Sequence, residues 1–143
     1  MARITVLGCG FGTALSVMFD KYGHEVSAWT KYRDEIEAIQ RDGEHKKLLP
    51  GVIVPPSISF DTDKSIISNA EIVVFAIPSK FVREVARNVK EYVPENAVIL
   101  NVGKGFEEGT NKRLSQVLEE EFPNNPVVVM AGPCHAEEVG RDM

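Results

Sequence analysis

The sequence predicts a doubly wound α/β domain, in which a mostly parallel sheet carries helices on both faces. Six short apolar segments alternate with five helical ones along the 143 residues. Most of these apolar segments are rich in β-branched residues, which is typical of strands buried on both faces. Strands that alternate with helices are joined by right-handed crossovers and therefore run parallel. No internal repeat or linker divides the chain, so residues 1–143 are expected to form one domain.

Glycine, proline and helical spacing place the boundaries of the elements. Strands are predicted at 4–7, 25–29, 57–60, 71–77, 97–101 and 127–130. A helix is predicted in each interval, and the proposed starts and stops include a stop at Gly23, a helix at 33–41, a cap at Asp61 or Thr62, an end near Tyr92 and a cap at Thr110. Segment 46–56 carries three prolines and is expected to form a loop or an edge element.

Charge and composition exclude several classes of protein. The net charge of −5 argues against a general nucleic-acid binder, which would normally be basic. No apolar run approaches the roughly 18–20 residues that cross a bilayer, and the start of the chain lacks a secretory signal core. We therefore expect a cytoplasmic protein without membrane insertion. Cys9 and Cys134 are too few and too far apart to indicate a metal cluster or a disulfide scaffold.

A glycine-rich turn follows the first predicted strand. Open α/β sheets bind ligands beyond the carboxyl ends of their strands, and a glycine turn there lets a pyrophosphate approach the amides of a helix start. Gly8 and Gly10 fit the Gly-x-Gly-x-x-Gly fingerprint, whereas Gly12 comes one residue early. The alternative is a tight strand-to-helix turn without a ligand, but the position after the first strand favours a dinucleotide site.

Cationic side chains follow the second and the fifth predicted strands. No acid precedes Asp34 after the second strand, and Lys31 would suit the 2′-phosphate of NADPH or tolerate both cofactors. A solvated helix start explains this exit equally well. Lys104 stands between two glycines after the fifth predicted strand, where its ammonium could polarise a carbonyl or hold a phosphate. The alternative for Lys104 is an exposed turn lysine.

The last exit combines glycine, proline, cysteine and histidine at 132–138. His135 could be a general base, but a lone histidine near a helix start is more often structural. Cys134 could be a nucleophile, but nothing else in the sequence forms an acyl-transfer site with it. Cys9 is interpreted as a small buried apolar side chain.

Taken together, the strand exits resemble the bacterial-type NAD(P)-dependent glycerol-3-phosphate dehydrogenase family. The matching segments lie in the order of the family along the whole chain, at 6–15, 49–51, 76–79 with Arg83, 104–107 and 132–139. The last two segments are specific together, whereas the glycine turn alone is not. The resemblance implies a Rossmann-like cofactor-binding domain, with NAD or NADP as cofactor and NADPH as a plausible one.

Residue roles follow from this resemblance. Residues expected to contact the cofactor are Gly8, Gly10, Phe11, Gly12, Lys31, Pro78, Lys104 and Ala136. Lys104 is expected to be the catalytic residue and to contact substrate, together with Gly132 and Cys134. No metal site is expected. The resemblance assigns no role to Arg83.

The resemblance also implies a reaction and a longer enzyme. Members of the family transfer a hydride between the nicotinamide and the pair dihydroxyacetone phosphate and glycerol 3-phosphate, which serves phospholipid synthesis. They continue into a helical substrate domain and could be homodimers. The short glycine turn and Cys134 in place of serine depart from the family and predict weaker binding. The chain alone is therefore expected to bind cofactor without turnover. Alternatives are a nucleotide-sensing or interaction module, or a dehydrogenase of the 6-phosphogluconate or hydroxyacyl-CoA type.

Overall fold

A parallel six-stranded sheet runs through the computed structural model, which describes residues 2–8, 11–43, 54–103 and 105–130. The strands are β1 (Arg3–Leu7), β2 (Glu25–Trp29), β3 (Ser59–Asp61), β4 (Ile72–Phe75), β5 (Val98–Asn101) and β6 (Val127–Val129). The α-helices are α1 (Phe11–Lys21), α2 (Arg33–Asp42), α3 (Val82–Val89) and α4 (Leu114–Glu121). Short 3₁₀ turns occupy Lys64–Asn69, Ser79–Phe81 and Lys90–Tyr92.

The strands are ordered β3-β2-β1-β4-β5-β6, and every neighbouring pair is parallel. The chain therefore starts in the middle of the sheet, extends to one edge, and then returns to build the other half. The order reverses between β1 and β4, which makes their carboxyl ends the expected ligand crevice. The doubly wound fold predicted from the sequence is confirmed.

Each face of the sheet packs against its own hydrophobic cluster. Along β4, Val73 and Phe75 point to the cluster that contains α3 and α4, whereas Val74 points to the cluster that contains α1 and part of α2. All three side chains are fully buried. An apolar strand with both faces covered explains why this segment shows no alternation of polar and apolar residues.

Several strands differ from the sequence prediction. The third strand forms at Ser59–Asp61 instead of 57–60, and the fourth shrinks from 71–77 to Ile72–Phe75. The sixth strand is not buried on both faces, because about half of the Val128 and Val129 surface is exposed. Most of the proline-rich segment 46–56 lies outside the described residues.

Both predicted caps after β3 are wrong. The helical turn after this strand begins at Lys64, and Asp63 caps it by accepting a hydrogen bond of 2.9 Å from the Ser65 amide. The carboxylate of Asp61 instead accepts from the amides of Thr62 and Asp63 at 2.8 and 3.1 Å. Asp61 therefore stabilises the turn that precedes the helical residues, and it lies two residues before the capping residue Asp63.

The predicted cap at Thr110 is also wrong. Helix α4 begins at Leu114, and the side chain of Gln116 accepts a hydrogen bond of 2.9 Å from the amide of Arg113 just before it. The Thr110 hydroxyl donates to Glu107 at 2.7 Å, so it belongs to the loop that precedes the helix. A longer loop therefore separates β5 from α4 than the sequence prediction allowed.

Among the described residues, no helix has the length and apolar character to span a membrane.

Candidate functional site

The carboxyl ends of all six strands lie side by side in register. Trp29 pairs with Leu7 and with Asp61, Leu7 pairs with Phe75, and the ladder continues through Asn101 to Val129. The segments that leave the strands therefore start along one straight edge of the sheet. This arrangement follows from the parallel sheet that the sequence predicts.

Gly8 is the first residue beyond β1, and its backbone is shaped by packing. Its φ of +107° lies in the left-handed region, and its amide donates a 2.8 Å hydrogen bond to the carbonyl of Trp29. A Cβ atom at this position would lie 2.4 Å from the carbonyl oxygen of Ala76. Only glycine therefore allows the turn to pass this close to the exit of β4.

Gly12 lies in the first turn of α1, against the sheet. An added Cβ would lie 2.9 Å from Cγ1 of Val6 and 3.2 Å from Cβ of Ala76. Close contact between helix and strand is the role that the third glycine has in the dinucleotide fingerprint. Gly12 therefore performs that role although it comes one residue early. Helix α1 begins at Phe11, so its amino end and partial positive charge lie at the crevice.

The exits of β2 and β4 meet at a group of cations and aromatic rings. The ammonium of Lys31 lies 5.3 Å from the ring centre of Tyr32 and 5.8 Å from that of Phe81. The ammonium of Lys80 lies 5.1 Å from the same Phe81 ring. Because β2 and β4 flank β1, this contact spans the exit that carries the glycine turn. The Phe81 ring is partly exposed and offers a flat apolar surface beside Lys31.

An acid that the sequence prediction did not place lies beside the second exit. Asp61 ends β3 opposite Trp29, and its carboxylate lies 3.4 Å from a guanidinium nitrogen of Arg33. The same nitrogen donates to the hydroxyl of Thr62 at 3.0 Å. Arg33 is therefore engaged by the end of β3, whereas the ammonium of Lys31 rests on aromatic rings.

The fourth exit turns sharply at Pro78. Its backbone is extended, with φ −55° and ψ 142°, and its carbonyl accepts a 2.9 Å hydrogen bond from the amide of Phe81. Pro78 itself is exposed at the edge of the crevice. This turn brings Phe81 back toward Lys31 and begins the helical segment that carries Arg83.

The fifth exit is held by a buried asparagine. The side chain of Asn101 accepts a 3.1 Å hydrogen bond from the amide of Gly103 and donates one of 3.3 Å to its carbonyl. A Cβ on Gly103 would lie 3.1 Å from the carbonyl oxygen of Ile77. Gly105 has a φ of +99° and faces Ser79. The residues before and after Lys104 therefore both lie against the exit of β4.

Arg83 on α3 binds Glu107 in the segment after β5. Its Nε and Nη2 donate to the two carboxylate oxygens of Glu107 at 2.6 and 3.0 Å. These hydrogen bonds raise the pKa of Arg83 above its ordinary value and, together with the Thr110 hydroxyl, lower the pKa of Glu107 to about 2. Both side chains are mostly buried. The pair is bidentate, which fixes orientation as well as distance.

The same guanidinium also reaches α4. Arg83 Nη1 donates to the buried carboxylate of Glu121 at 2.8 Å, and Lys90 and Arg87 donate to that carboxylate at 2.9 and 3.2 Å. Burial raises the pKa of Glu121, but the hydrogen bonds from Lys90, Arg83 and Arg87 outweigh it and leave the pKa below its ordinary value. Glu120 adds a 3.0 Å contact to Arg83 and an ion pair with Lys112. The network joins α3, α4 and the segment after β5.

Acid should weaken this network through Glu107. Its pKa is about 2 in the folded chain against an ordinary 4.5, so its contribution to stability is complete above about pH 4.5 and is lost as the pH falls toward 2. In Glu107→Gln that contribution is absent at every pH. We expect urea unfolding to show a large stability difference between wild type and E107Q at pH 7 that shrinks by pH 3. Glu119→Gln, on the exposed side of α4, is the control, and an E107Q difference that stays constant with pH would contradict the assignment.

Several site residues were missed from the sequence. No sequence pattern assigned a role to Phe81, Glu107 or Asn101. Asn101 had a usable signal, because a polar side chain at the end of an apolar strand must find partners when it is buried. Arg83, the charged partner of Glu107, is 24 residues away in the sequence, and no local pattern reveals such a contact.

Part of the predicted site can be located in the structure. Gly8, Gly12, Lys31 and Pro78 lie along the crevice edge, and Phe11 begins the helix there. The remaining predicted site residues lie outside the described residues, and they are Gly10, Lys104, Gly132, Cys134 and Ala136. The roles of all of these residues stay predictions.

The strand order, the aligned exits and the glycine turn define a nucleotide-binding α/β domain of the Rossmann class. The sequence profile described as the N-terminus of NAD-dependent glycerol-3-phosphate dehydrogenase matches residues 3–143. The chain belongs to this NAD(P)-dependent family, as its sequence resemblance predicted.

Relatives with this activity in their names are similar over the whole chain. A glycerol-3-phosphate dehydrogenase (NAD(P)+) of Desulfitobacterium hafniense is 44% identical over 144 residues, which cover 100% of this chain and 41% of that protein. One from Agathobacter rectalis is 45% identical, with 99% and 43% covered. The crystal structure of the Coxiella burnetii glycerol-3-phosphate dehydrogenase superposes with a TM-score of 0.90 at 26% identity, covering 99% of this chain and 44% of that one. The chain thus spans less than half of the length of these relatives.

Proposed function

We propose that the chain is the cofactor-binding domain of a glycerol-3-phosphate dehydrogenase that reduces dihydroxyacetone phosphate with NADPH or NADH. The observation that carries this proposal is the register of the strands, which brings the described parts of three motif segments, around Gly8, Pro78 and Gly105, to one edge of the sheet. Family membership supports the reaction, and the aligned strand ends support this edge of the sheet as the place where it would occur.

The described residues near the end of β1 support a dinucleotide site. Gly8 follows β1 and α1 begins at Phe11, so the Phe11 amide, together with Gly10 between them in the sequence, would face the pyrophosphate. Lys31 would lie beside the adenosine ribose, and the partly exposed ring of Phe81 gives that end of the cofactor an apolar surface. Pro78 would border the cofactor at the fourth exit, and Ala136 would touch it from the last one.

Lys31 supports a preference for NADPH. A 2′-phosphate carries up to two negative charges and is stabilised by nearby cations. The ammonium of Lys31 contacts the rings of Tyr32 and Phe81, and the exposed guanidinium of Arg33 uses only Nη2 for Asp61 and Thr62. Lys31 is therefore a cation at this exit that a phosphate would recruit, with Arg33 as a second one.

The substrate end would be formed after β5 and β6. Lys104 would place its ammonium beside the ketone oxygen of dihydroxyacetone phosphate and stabilise the negative charge that develops there. Gly132 would let the substrate approach the backbone, and Cys134 would be a weaker donor to it than the serine usual in the family. When bound, the reduced nicotinamide supplies the hydride to the ketone carbon, and a proton to its oxygen completes the alcohol.

The rest of the enzyme is proposed from the family as well. A helical domain beyond these residues would supply a general-acid lysine and the residues that bind the substrate phosphate. The complete enzyme would be a cytoplasmic protein, with a homodimer as one possible assembly, and would provide glycerol 3-phosphate for phospholipids. Residues 1–143 would then bind cofactor without turning substrate over.

Cofactor titration tests the proposal on the chain itself. We expect isothermal titration to show NADPH binding, and Lys31→Ala to weaken it about tenfold, with a smaller effect on NADH, because the 2′-phosphate loses one of its cations. Arg3→Gln, at the opposite edge of the sheet, is the matched control and should leave both affinities unchanged. Absence of heat with either cofactor at millimolar concentration would favour an interaction module instead.

Turnover tests the reaction. A chimera would join residues 1–143 to the part of the Desulfitobacterium hafniense relative that they do not match. We expect this chimera to oxidise NADPH only when dihydroxyacetone phosphate is present, and Lys104→Ala to lower kcat by about 100-fold or more. A wild-type chimera that binds NADPH but ignores dihydroxyacetone phosphate would refute the substrate assignment.

A further inference from the structure

Residues 106–113, on the carboxyl side of Lys104, form a loop whose internal hydrogen bonds converge on Glu107. Phe106 and Arg113 pair as an antiparallel bridge, and the amide of Glu107 donates to the carbonyl of Lys112 at 2.8 Å. The carbonyl of Glu107 accepts from the amide of Asn111 at 2.9 Å. Its carboxylate accepts from the Thr110 hydroxyl at 2.7 Å. Moving the Glu107 side chain would therefore move the whole loop.

Arg83 fixes this loop to α3. Two of its nitrogens donate to the Glu107 carboxylate, and the third donates to Glu121 on α4. Each of the three guanidinium nitrogens therefore has a carboxylate partner. The side chains of Arg83 and Glu107 are only 21% and 15% exposed, so water competes weakly for the contact. A planar group with three anchored nitrogens leaves the loop little freedom to rotate or slide.

The amino side of Lys104 is fixed independently. Gly103 is bonded through its amide and carbonyl to the side chain of buried Asn101. The amide of Val102 donates to the carbonyl of Phe75 at 3.2 Å. The two fixed points, Gly103 and Glu107, are four residues apart in the sequence. A segment this short limits how far the residues between these two points can lie from either of them.

We propose that Arg83 is a positioning residue for the substrate end of the site, acting through Glu107 on the backbone next to Lys104. This inference rests on the proposed role of Lys104 in the reaction. Arg83 itself need not touch substrate or cofactor, because its donors are already engaged by carboxylates within the domain. A displacement of about 1 Å of a reacting group can cost about 100-fold in rate, so a clamp of this kind has a measurable effect on turnover.

Backbone order in the 143-residue chain is the first test. Heteronuclear relaxation and amide exchange would be measured at Gly105 and Phe106 in wild type, Arg83→Gln, Arg83→Lys and Glu107→Gln. We expect faster exchange and lower order at both amides in R83Q and E107Q, and an intermediate effect in R83K, because lysine makes a single-point contact. Arg87→Gln is the matched control: it removes a cation from the same helix and from the Glu121 cluster without touching Glu107.

A double-mutant cycle in the chimera is the second test. We expect R83Q to lower kcat by 10- to 100-fold while the dissociation constant of NADPH changes less than threefold, and R87Q to leave kcat unchanged. In a Lys104→Ala background the loss from R83Q should nearly disappear, because Arg83 then has no catalytic group left to place. A role in stability alone would lower active protein equally in both backgrounds and would not depend on Lys104.

The outcomes separate this inference from the proposed function. A wild-type chimera without activity on dihydroxyacetone phosphate counts against the proposed function, and the amide measurements on the chain then decide the clamp by themselves. Unchanged order at the Gly105 and Phe106 amides in both R83Q and E107Q overturns the proposal that Arg83 fixes this loop through Glu107. An active chimera whose R83Q loss is the same with and without Lys104 overturns the positioning role. If R83Q does not fold, E107Q and R83K carry both measurements.

Discussion

Gly8→Ala is expected to lower the free energy of unfolding by at least about 3 kcal/mol and to abolish cofactor binding. The new Cβ would lie 2.4 Å from the carbonyl oxygen of Ala76, a distance that forces the backbone to move. The φ of +107° adds a conformational cost of about 1–2 kcal/mol for any residue with a Cβ. Urea unfolding, followed by titration with NADPH, measures both effects.

Gly23→Ala provides the matched control for this prediction. Gly23 also has a positive φ, +87°, but an added Cβ meets no atom within 4 Å. It should therefore cost only the conformational term, about 1–2 kcal/mol, and leave cofactor binding intact. The difference between the two variants isolates the contact with Ala76. If G8A and G23A were equally destabilised, the close approach of the turn to the β4 exit would be disproved.

Phe75→Ala is expected to cost about 3–5 kcal/mol, a large share of the roughly 5–15 kcal/mol by which a domain of this size is stable. The Phe75 ring is fully buried, and its centre lies 5.9 Å from that of Phe122. Removing it leaves a cavity at the carboxyl end of β4 that the surrounding sheet and helices cannot close. Thermal and urea unfolding should both report the loss.

Phe106→Ala is the control for the loss of a ring. Phe106 is 61% exposed, so its removal should change stability by less than about 0.5 kcal/mol. The backbone carbonyl of Phe75 accepts from the Val102 amide at 3.2 Å, which joins the end of β4 to the segment just before Lys104 and is retained in F75A. A loss below about 1 kcal/mol in F75A would show that the core under the crevice is less tightly packed than the structure indicates.

The sheet was predictable because short local patterns in the sequence indicate its strands and its first turn. Val73 and Val74 are both apolar neighbours that point to opposite faces, and such a run indicates a strand covered on both sides. Glycines at 8, 10 and 12 mark the first crossover without any knowledge of the rest of the chain. The parallel direction of the strands followed from their alternation with helices and from the handedness of crossovers, whereas the order β3-β2-β1-β4-β5-β6 came from the structure alone.

The caps and the charge network were less predictable because they depend on competition and on distant partners. Asp61, Thr62 and Asp63 are all good capping residues, and the end of β3 decides which of them is free to cap. Arg83 on α3 binds Glu107 after β5 and Glu121 on α4. Because these residues lie in three separate segments, no spacing in the sequence predicts the contacts. Lys31 was identified because a strand exit is a local feature, but its aromatic neighbour Phe81 arrives from another strand.

The packing of Gly8 and Gly12 has a consequence for how glycine patterns are interpreted across proteins. Both positions exclude a side chain because of protein atoms, at Ala76 and at Val6. A descendant that had lost its nucleotide would still need both glycines to fold, and it would keep most of the pattern that motif searches use. Because packing fixes both positions, it fixes the spacing between them as well. In this fold these two glycines therefore report how closely the first helix and the neighbouring strand exit pack, and they do not by themselves identify what is bound.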